Sequence, residues 1–160
     1  MLKTSLAPVT STTTRLLILG SLPGDASLAA QAYYAHPRNA FWPVMSALTG
    51  CALDTMAYDD RLAALLAHRI GLWDVVGTAK RRGSLDQALR EIEANPLAAL
   101  IDTLPDLGAV AFNGLTAYRL GHTLIPARLH CIALPSTSPA HTMPVQDKID
   151  AWMQLRAFLG

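Results

Sequence analysis

Four short apolar runs set the terms for this chain: Leu16–Leu19, Gly71–Val76, Ala109–Phe112 and Leu129–Leu134. Each is too short for an ordinary helix and is bounded by Gly, Pro or polar residues, as buried strands are. Helical periodicities lie between them. Asp59–His68 carries Leu62, Leu65 and Leu66 at helical spacing, and Pro144–Phe158 carries Val145, Ile149, Trp152 and Leu155 along one face. Ala40–Leu48 has Pro43 in its first turn, where a missing N–H costs little. Ser84-Leu85-Asp86-Gln87 has the capping-box pattern and predicts a helix over Leu85–Ala94. Pro96–Leu104 and Leu115–Leu120 are shorter helical candidates. Continuous apolar strands separated by helices predict an α/β fold: a mostly parallel sheet covered on both faces.

A chain of 160 residues fits one domain, and with 51% hydrophobic residues it can bury a sizeable core. Residues 1–14, ending in the polar run Thr10-Ser11-Thr12-Thr13-Thr14, are expected to form a flexible lead-in to a single domain over residues 15–160. A formal net charge of +1 leaves no global basic footprint, so binding to nucleic acid would need a local patch. Cys51 and Cys131 lack metal-ligand spacing and are expected to be reduced core residues. Neither a secretory leader nor an 18-residue apolar span is visible, so the expectation is a soluble cytoplasmic protein without membrane contact.

In parallel sheets, ligands bind beyond the carboxyl ends of the strands. That rule selects four loops. The first spans Gly20-Ser21-Leu22-Pro23-Gly24 and runs on to His36, Arg38 and Asn39 set among Tyr33, Tyr34, Phe41 and Trp42. Gly24 lets backbone N–H groups approach a planar or anionic ligand, and flat rings beside an amide suit a nucleobase. An aromatic core cluster beside a plain turn fits the same residues. The second loop opens with Trp73 and Asp74 and leads to Lys80-Arg81-Arg82, the only compact basic run. Asp74 either receives a ligand or caps the next segment; the basic run either meets phosphates or is a solvated turn. The third is Phe112-Asn113-Gly114, whose amide can read adjacent N–H and C=O groups or make an Asx turn. The fourth is Leu134-Pro135-Ser136-Thr137-Ser138-Pro139-Ala140-His141, a proline-stiffened loop with small hydroxyls. P-loop, Gly-x-Ser-x-Gly and zinc patterns are absent from the sequence.

In this order the loops resemble the uracil-DNA glycosylase superfamily, and within it the hypoxanthine-DNA (deoxyinosine) glycosylase branch. The matching pieces run from Ile18 nearly to the end: Gly20–Gly24 with Ser27-Leu28, Tyr33–Trp42, Gly71–Val75 leading to Gly83–Asp86, Phe112–Gly114, and Leu134–Ala140. Where this branch carries Asn after Ser-Pro-Ala, this chain has His141. The first motif lacks both the Asp and the Gly-Gln-Asp-Pro-Tyr turn of the strong uracil-removing families, which argues against uracil as the best substrate.

The resemblance implies a three-layer α/β/α sandwich around a four-stranded parallel sheet, and removal of a deaminated base from DNA without metal or cofactor. By position, Asn39 is the catalytic amide that holds the attacking water. Gly20, Ser21, Leu22, Pro23 and Gly24, with Tyr33, Tyr34, Phe41, Trp73, Asp74 and Asn113, form the base site. Ser136, Thr137, Ser138, Pro139, Ala140 and His141 press on the DNA, and Lys80, Arg81 and Arg82 are the expected phosphate contacts. No lysine falls in a matched catalytic position, which implies a monofunctional enzyme, and a monomer is expected. Release of uracil or xanthine, action on G:U or G:T mismatches, and non-catalytic binding of a nucleobase or nucleic acid remain alternatives at this level.

Overall fold

A computed structural model describes residues 1–159. The central sheet is built from Leu16–Gly20 (β2), Ile70–Asp74 (β3), Ala109–Asn113 (β6) and His130–Leu134 (β7). All neighbours are parallel and the order is β3-β2-β6-β7. Every residue of β2 is buried, because this strand is central and covered on both faces. Its side chains divide with period two. Leu16 and Ile18 join Ile70, Leu72, Ala109 and Ala111 in one core. Leu17 and Leu19 join Val110 and Phe112 in the other.

Helices cover both faces, as the alternation of patterns predicts. Phe41–Thr49 (α2), Tyr58–Ala67 (α3) and Val145–Trp152 (α6) close the first core through Phe41, Trp42, Met45, Leu65 and Trp152. Ala109 and Ala111 present little bulk on this face, which carries the large rings. Leu97–Ile101 (α4) and Leu115–Gly121 (α5) close the second through Leu97, Ile101 and Ala117. A one-and-a-half-turn helix, Asp25–Ala30 (α1), follows the Gly20–Gly24 turn.

The structure corrects three expectations. First, residues 1–14 are not a free lead-in. Leu2–Thr4 (β1) pairs antiparallel with Val76–Lys80 (β4), and Val9 exchanges two backbone hydrogen bonds with Leu72. Second, the apolar run Gly71–Val76 is not one strand. It leaves the parallel sheet after Asp74 and restarts as β4, and Asn95 clamps the break by donating to the carbonyls of Asp74 and Val76. Third, Leu85–Ala94 is not a helix. A short 3-10 turn at Asp86–Ala88 precedes Arg90–Ala94 (β5), which pairs with β4. The local helix pattern loses to the unpaired backbone edge of β4, a tertiary demand that a window of sequence does not contain. The result is a second sheet, antiparallel, with order β1-β4-β5.

Gly121 shows how closely α5 lies on the sheet. A Cβ there would stand 2.7 Å from both Phe112 Cε1 and Val75 Cγ2. Gly121→Ala is therefore expected to destabilise the fold by about 1–3 kcal/mol, read as a lowered urea midpoint; an unchanged midpoint would show that α5 can move away freely.

Candidate active site

A cavity of about 870 Å³ opens at the carboxyl ends of the parallel strands. Its size suits a small-molecule-sized ligand. Gly20 from β2, Asp74 from β3 and Asn113 from β6 reach it together, joined by the loop after β7. Asn39, Tyr33, Tyr34 and His36 enter from the segment between α1 and α2. Register explains the convergence, because Gly20 lies directly beside Asp74 across two parallel strands that end at the same level.

The Gly20–Gly24 turn is braced from below. Arg81 is 1% exposed and donates to the carbonyl oxygens of Pro23 (2.6 Å), Leu22 (3.4 Å) and Gly83 (2.8 Å). Ser21 Oγ donates to Asp86 (2.6 Å), and the Asp25 N–H donates to Ser84 Oγ (2.9 Å). Lys3 on β1 donates to Asp25 and to the Gly83 carbonyl, so the N-terminal strand tethers this side of the cavity. The position that must be glycine for space is Gly20: a Cβ would stand 2.6 Å from Asp74 Oδ1. Gly24 has an ordinary extended backbone and caps α1.

On the opposite wall, Thr137 is the junction. Its N–H donates to Asn113 Oδ1, its Oγ1 accepts from Asn113 Nδ2, and its carbonyl accepts from the Ala40 N–H, each at 2.9 Å. The Asn113 amide is thereby fixed in orientation, with one Nδ2–H and one Oδ1 lone pair left over. The same carbonyl holds the residue after Asn39. Asn39 Oδ1 accepts from the Phe41 N–H (2.9 Å), which fixes its amide at the start of α2. Gly114, at a φ of 101°, adopts a backbone that favours glycine, and a Cβ there would stand 3.2 Å from Ser136 Cβ. From α6, the buried Lys148 donates to the Ser138 carbonyl (3.1 Å) and Trp152 to the Pro135 carbonyl (2.9 Å).

Two buried side-chain oxygens among the described residues have no hydrogen-bond partner: Asp74 Oδ2 and the Tyr34 hydroxyl. Both belong to cavity residues, and unpaired buried polar atoms are rare enough to mark a site. Burial, then the nearby Asp86 carboxylate, pushes the Asp74 carboxyl up to about 7, against the opposing pull of Arg81. Burial likewise keeps the Tyr34 phenol well above its ordinary value. Tyr34 has a φ of 54°, a left-handed backbone uncommon outside glycine, and its ring stacks on Phe41 at 3.8 Å. Tyr34 thus combines a left-handed backbone with a hydroxyl that has no partner. Among the described residues, no group of three His, Cys, Asp or Glu side chains is placed to hold a metal ion, and no helix is long and apolar enough to cross a membrane.

Residues 7–157 match the family described as the Uracil DNA glycosylase superfamily. The chain belongs to the uracil-DNA glycosylase superfamily. It is 36% identical over 154 residues to a protein named Hypoxanthine DNA glycosylase from Methanosarcina barkeri, covering 96% of this chain and 98% of that one. A Methanosarcina acetivorans protein of the same name is 36% identical over 152 residues, covering 95% and 96%. A solution NMR structure from Methanosarcina acetivorans, provisionally described as a uracil DNA glycosylase, superposes with a TM-score of 0.89 at 34% identity, over 99% of each chain.

In this superfamily member the cavity brings together Asn39, Tyr33, Tyr34, Asp74, Asn113 and the Gly20–Gly24 turn. Other expected contacts are placed differently. Phe41 is fully buried behind Tyr34 and does not line the cavity. Trp73 packs in the second core and donates its indole N–H to the Leu6 carbonyl (3.0 Å). Arg81 is spent on backbone carbonyls, so it cannot meet phosphates, while Lys80 is exposed and paired with Glu91 (2.8 Å). Thr137 is 1% exposed and faces inward, whereas Ala140, His141 and Arg82 are exposed. Sequence reasoning missed Asp86, Thr116 and Arg119 as lining residues. Only the three-residue spacing of Thr116 and Arg119 on α5 signalled a shared face.

The Asp74 carboxyl links the site to stability. Between about pH 4 and about pH 7 the folded carboxyl retains a proton that the unfolded chain has released, so stability falls as pH rises through that window. Asp74→Asn removes this penalty. Its Tm relative to the unmodified protein is expected to be higher at about pH 8 than at about pH 5 by several degrees, since 1 kcal/mol shifts Tm by about 2–4 °C at this size. An identical difference at both pH values would contradict the buried, neutral carboxyl.

Proposed function

We propose that this chain hydrolyses the N-glycosidic bond of deoxyinosine in DNA and releases hypoxanthine. The observation that carries the reading is the fixed Asn39 amide in the same cavity as the unpartnered Asp74 and Tyr34 oxygens, in a chain with near full-length likeness to proteins named for that base. Cleavage develops positive charge on the sugar and negative charge on the departing base. Asn39 has no ionisable proton, so it serves by orienting the attacking water and by its dipole. The base reaches the cavity by leaving the duplex, and an inosine mispair opens more readily than a normal pair.

Asn113 accounts for the choice of base. Thr137 occupies the edge on which the amide's Oδ1 and one Nδ2–H lie side by side, so Asn113 meets hypoxanthine through a single group, the remaining Nδ2–H, which donates to O6. Adenine carries an amino donor in place of O6 and leaves that Nδ2–H unpaired, which disfavours it. Thr137 fixes which way the amide points. The exposed end of the loop, Ser138–His141, contacts the lesion strand, and Arg119 at the cavity takes a phosphate. No lysine is among the cavity-lining residues, which supports a monofunctional enzyme that leaves an abasic site. The protein acts as a cytoplasmic monomer, without a cofactor.

The test is base release from duplexes carrying one inosine or one uracil. Inosine cleavage is expected, with Asn39→Ala slower by on the order of 10²-fold or more and no borohydride-trapped DNA adduct. Release of uracil alone would overturn the substrate and agree with the description of the solved neighbour. Lesion binding without release of either base would overturn turnover itself.

A further inference from the structure

We infer that Asp74 is a general acid: its neutral carboxyl donates a proton to N7 of the departing purine. The inference rests on the base-release reading above and adds a second catalytic group to it. It begins from geometry. Asp74 is 3% exposed at the end of β3, and its carboxyl lies over Gly20, where only the missing Cβ makes room. Its Oδ2 has no partner in the protein, and the Tyr34 hydroxyl on the same side of Gly20 has none either. The one cation with a direct electrostatic hold on Asp74, Arg81, gives its hydrogen bonds to the carbonyls of Leu22, Pro23 and Gly83. A carboxyl so buried, with no donor aimed at its free oxygen, is held neutral and carries a proton it can give away.

The chemistry has a place for that proton. Hydrolysis through Asn39 alone expels an anionic base, and no general base assists the water. As the C1′–N9 bond breaks, its electron pair moves into the purine ring. The Asp74 proton goes to N7, so the product leaves as the neutral 7H tautomer of hypoxanthine. Water supplies the oxygen that bonds to C1′ and releases its proton to solvent, and solvent then reprotonates Asp74. The Tyr34 hydroxyl, held neutral beside it, steadies the base without transferring a proton. General acid catalysis of this kind contributes about 10²–10⁴-fold.

The carboxyl is loaded below about pH 7 and discharged above it. Other titratable groups share the space. Asp86 and Arg81 face Asp74 from the segment after β4, and Tyr33 and Tyr34 from the segment after α1. His36, His141, Asp25 and Arg119 line the same cavity. Both tyrosines are held far above neutrality, so replacement of the cavity residues His36 and His141 serves as the control.

Single-turnover release from an inosine duplex, measured from about pH 5.5 to about pH 9 with thermal melts at each pH, tests the inference. The unmodified protein is expected to lose rate above about pH 7, approaching tenfold per pH unit. Asp74→Asn, which keeps a hydrogen-bond donor but cannot give up its proton, is expected to be slower by about 10²-fold or more at low pH and to lack the limb. The double variant His36→Gln/His141→Gln is expected to keep the limb, and it decides ownership even if Asp74→Asn fails to fold. A flat profile in the unmodified protein, a limb that survives Asp74→Asn, or one that vanishes with the histidines would overturn the assignment. Those outcomes leave base release intact. Failure of the unmodified protein to release hypoxanthine at any pH would instead overturn the function and this inference with it.

Discussion

Three hydrogen bonds meet at Thr137, and the cavity depends on them. They tie the end of β6, through Asn113, to the loop after β7, and that loop to the segment carrying Asn39. Each of these pieces comes from a different part of the chain. A charged or exposed link would be screened by water and salt; this one is buried and made of neutral groups, where a hydrogen bond keeps its strength and its direction. Lys148 and Trp152 extend the same anchorage from α6. The proline-stiffened loop is thus less a flexible finger than a wall fixed from behind, with its far end left exposed.

The opposite wall is held by a different device. Arg81 is a charged side chain spent on the backbone of a glycine-proline turn, with Lys3 and Ser84 completing the frame. A guanidinium presents several donors in a rigid fork, so one residue can satisfy three carbonyls that would otherwise be buried unpaired. This explains why the small antiparallel sheet exists: β1 and β4 deliver Lys3 and Arg81 to the turn. Between the two walls lie Asp74 and Tyr34, whose polar atoms the fold leaves unsatisfied. Among the described residues these are the two buried side-chain oxygens without a partner, and both belong to residues of the cavity. Unpaired buried oxygens lower stability, and the fold carries that cost at its cavity.

Much of this was legible from one sequence. The four apolar runs mark the four parallel strands, most fully at β2, a central strand covered on both faces and apolar throughout. Placing the polar loop residues at the strand ends followed from the topology. Asn39, Asp74, Asn113 and the Gly20–Gly24 turn do converge on one cavity. Less was legible wherever a residue's role depends on its neighbours across the fold. Leu85–Ala94 has local helix signals but serves as a strand. Phe41 and Trp73 are as aromatic as Tyr34, and only packing decides which ring faces the cavity.

What the sequence by itself determined is the layered α/β frame, the position of the loops that carry chemistry, and the family, since periodicity and motif order are properties of the linear chain. Tertiary structure alone decided the protonation and orientation of the polar groups that line the cavity. Arg81 reads as a phosphate contact until its guanidinium is found beneath the Pro23 carbonyl. Asp74 reads equally as a ligand contact or a cap until it is found buried over Gly20 with one oxygen unpaired. Charge and hydrogen-bond direction are set by desolvation and by partners distant in sequence, and neither exists until the chain has folded around them.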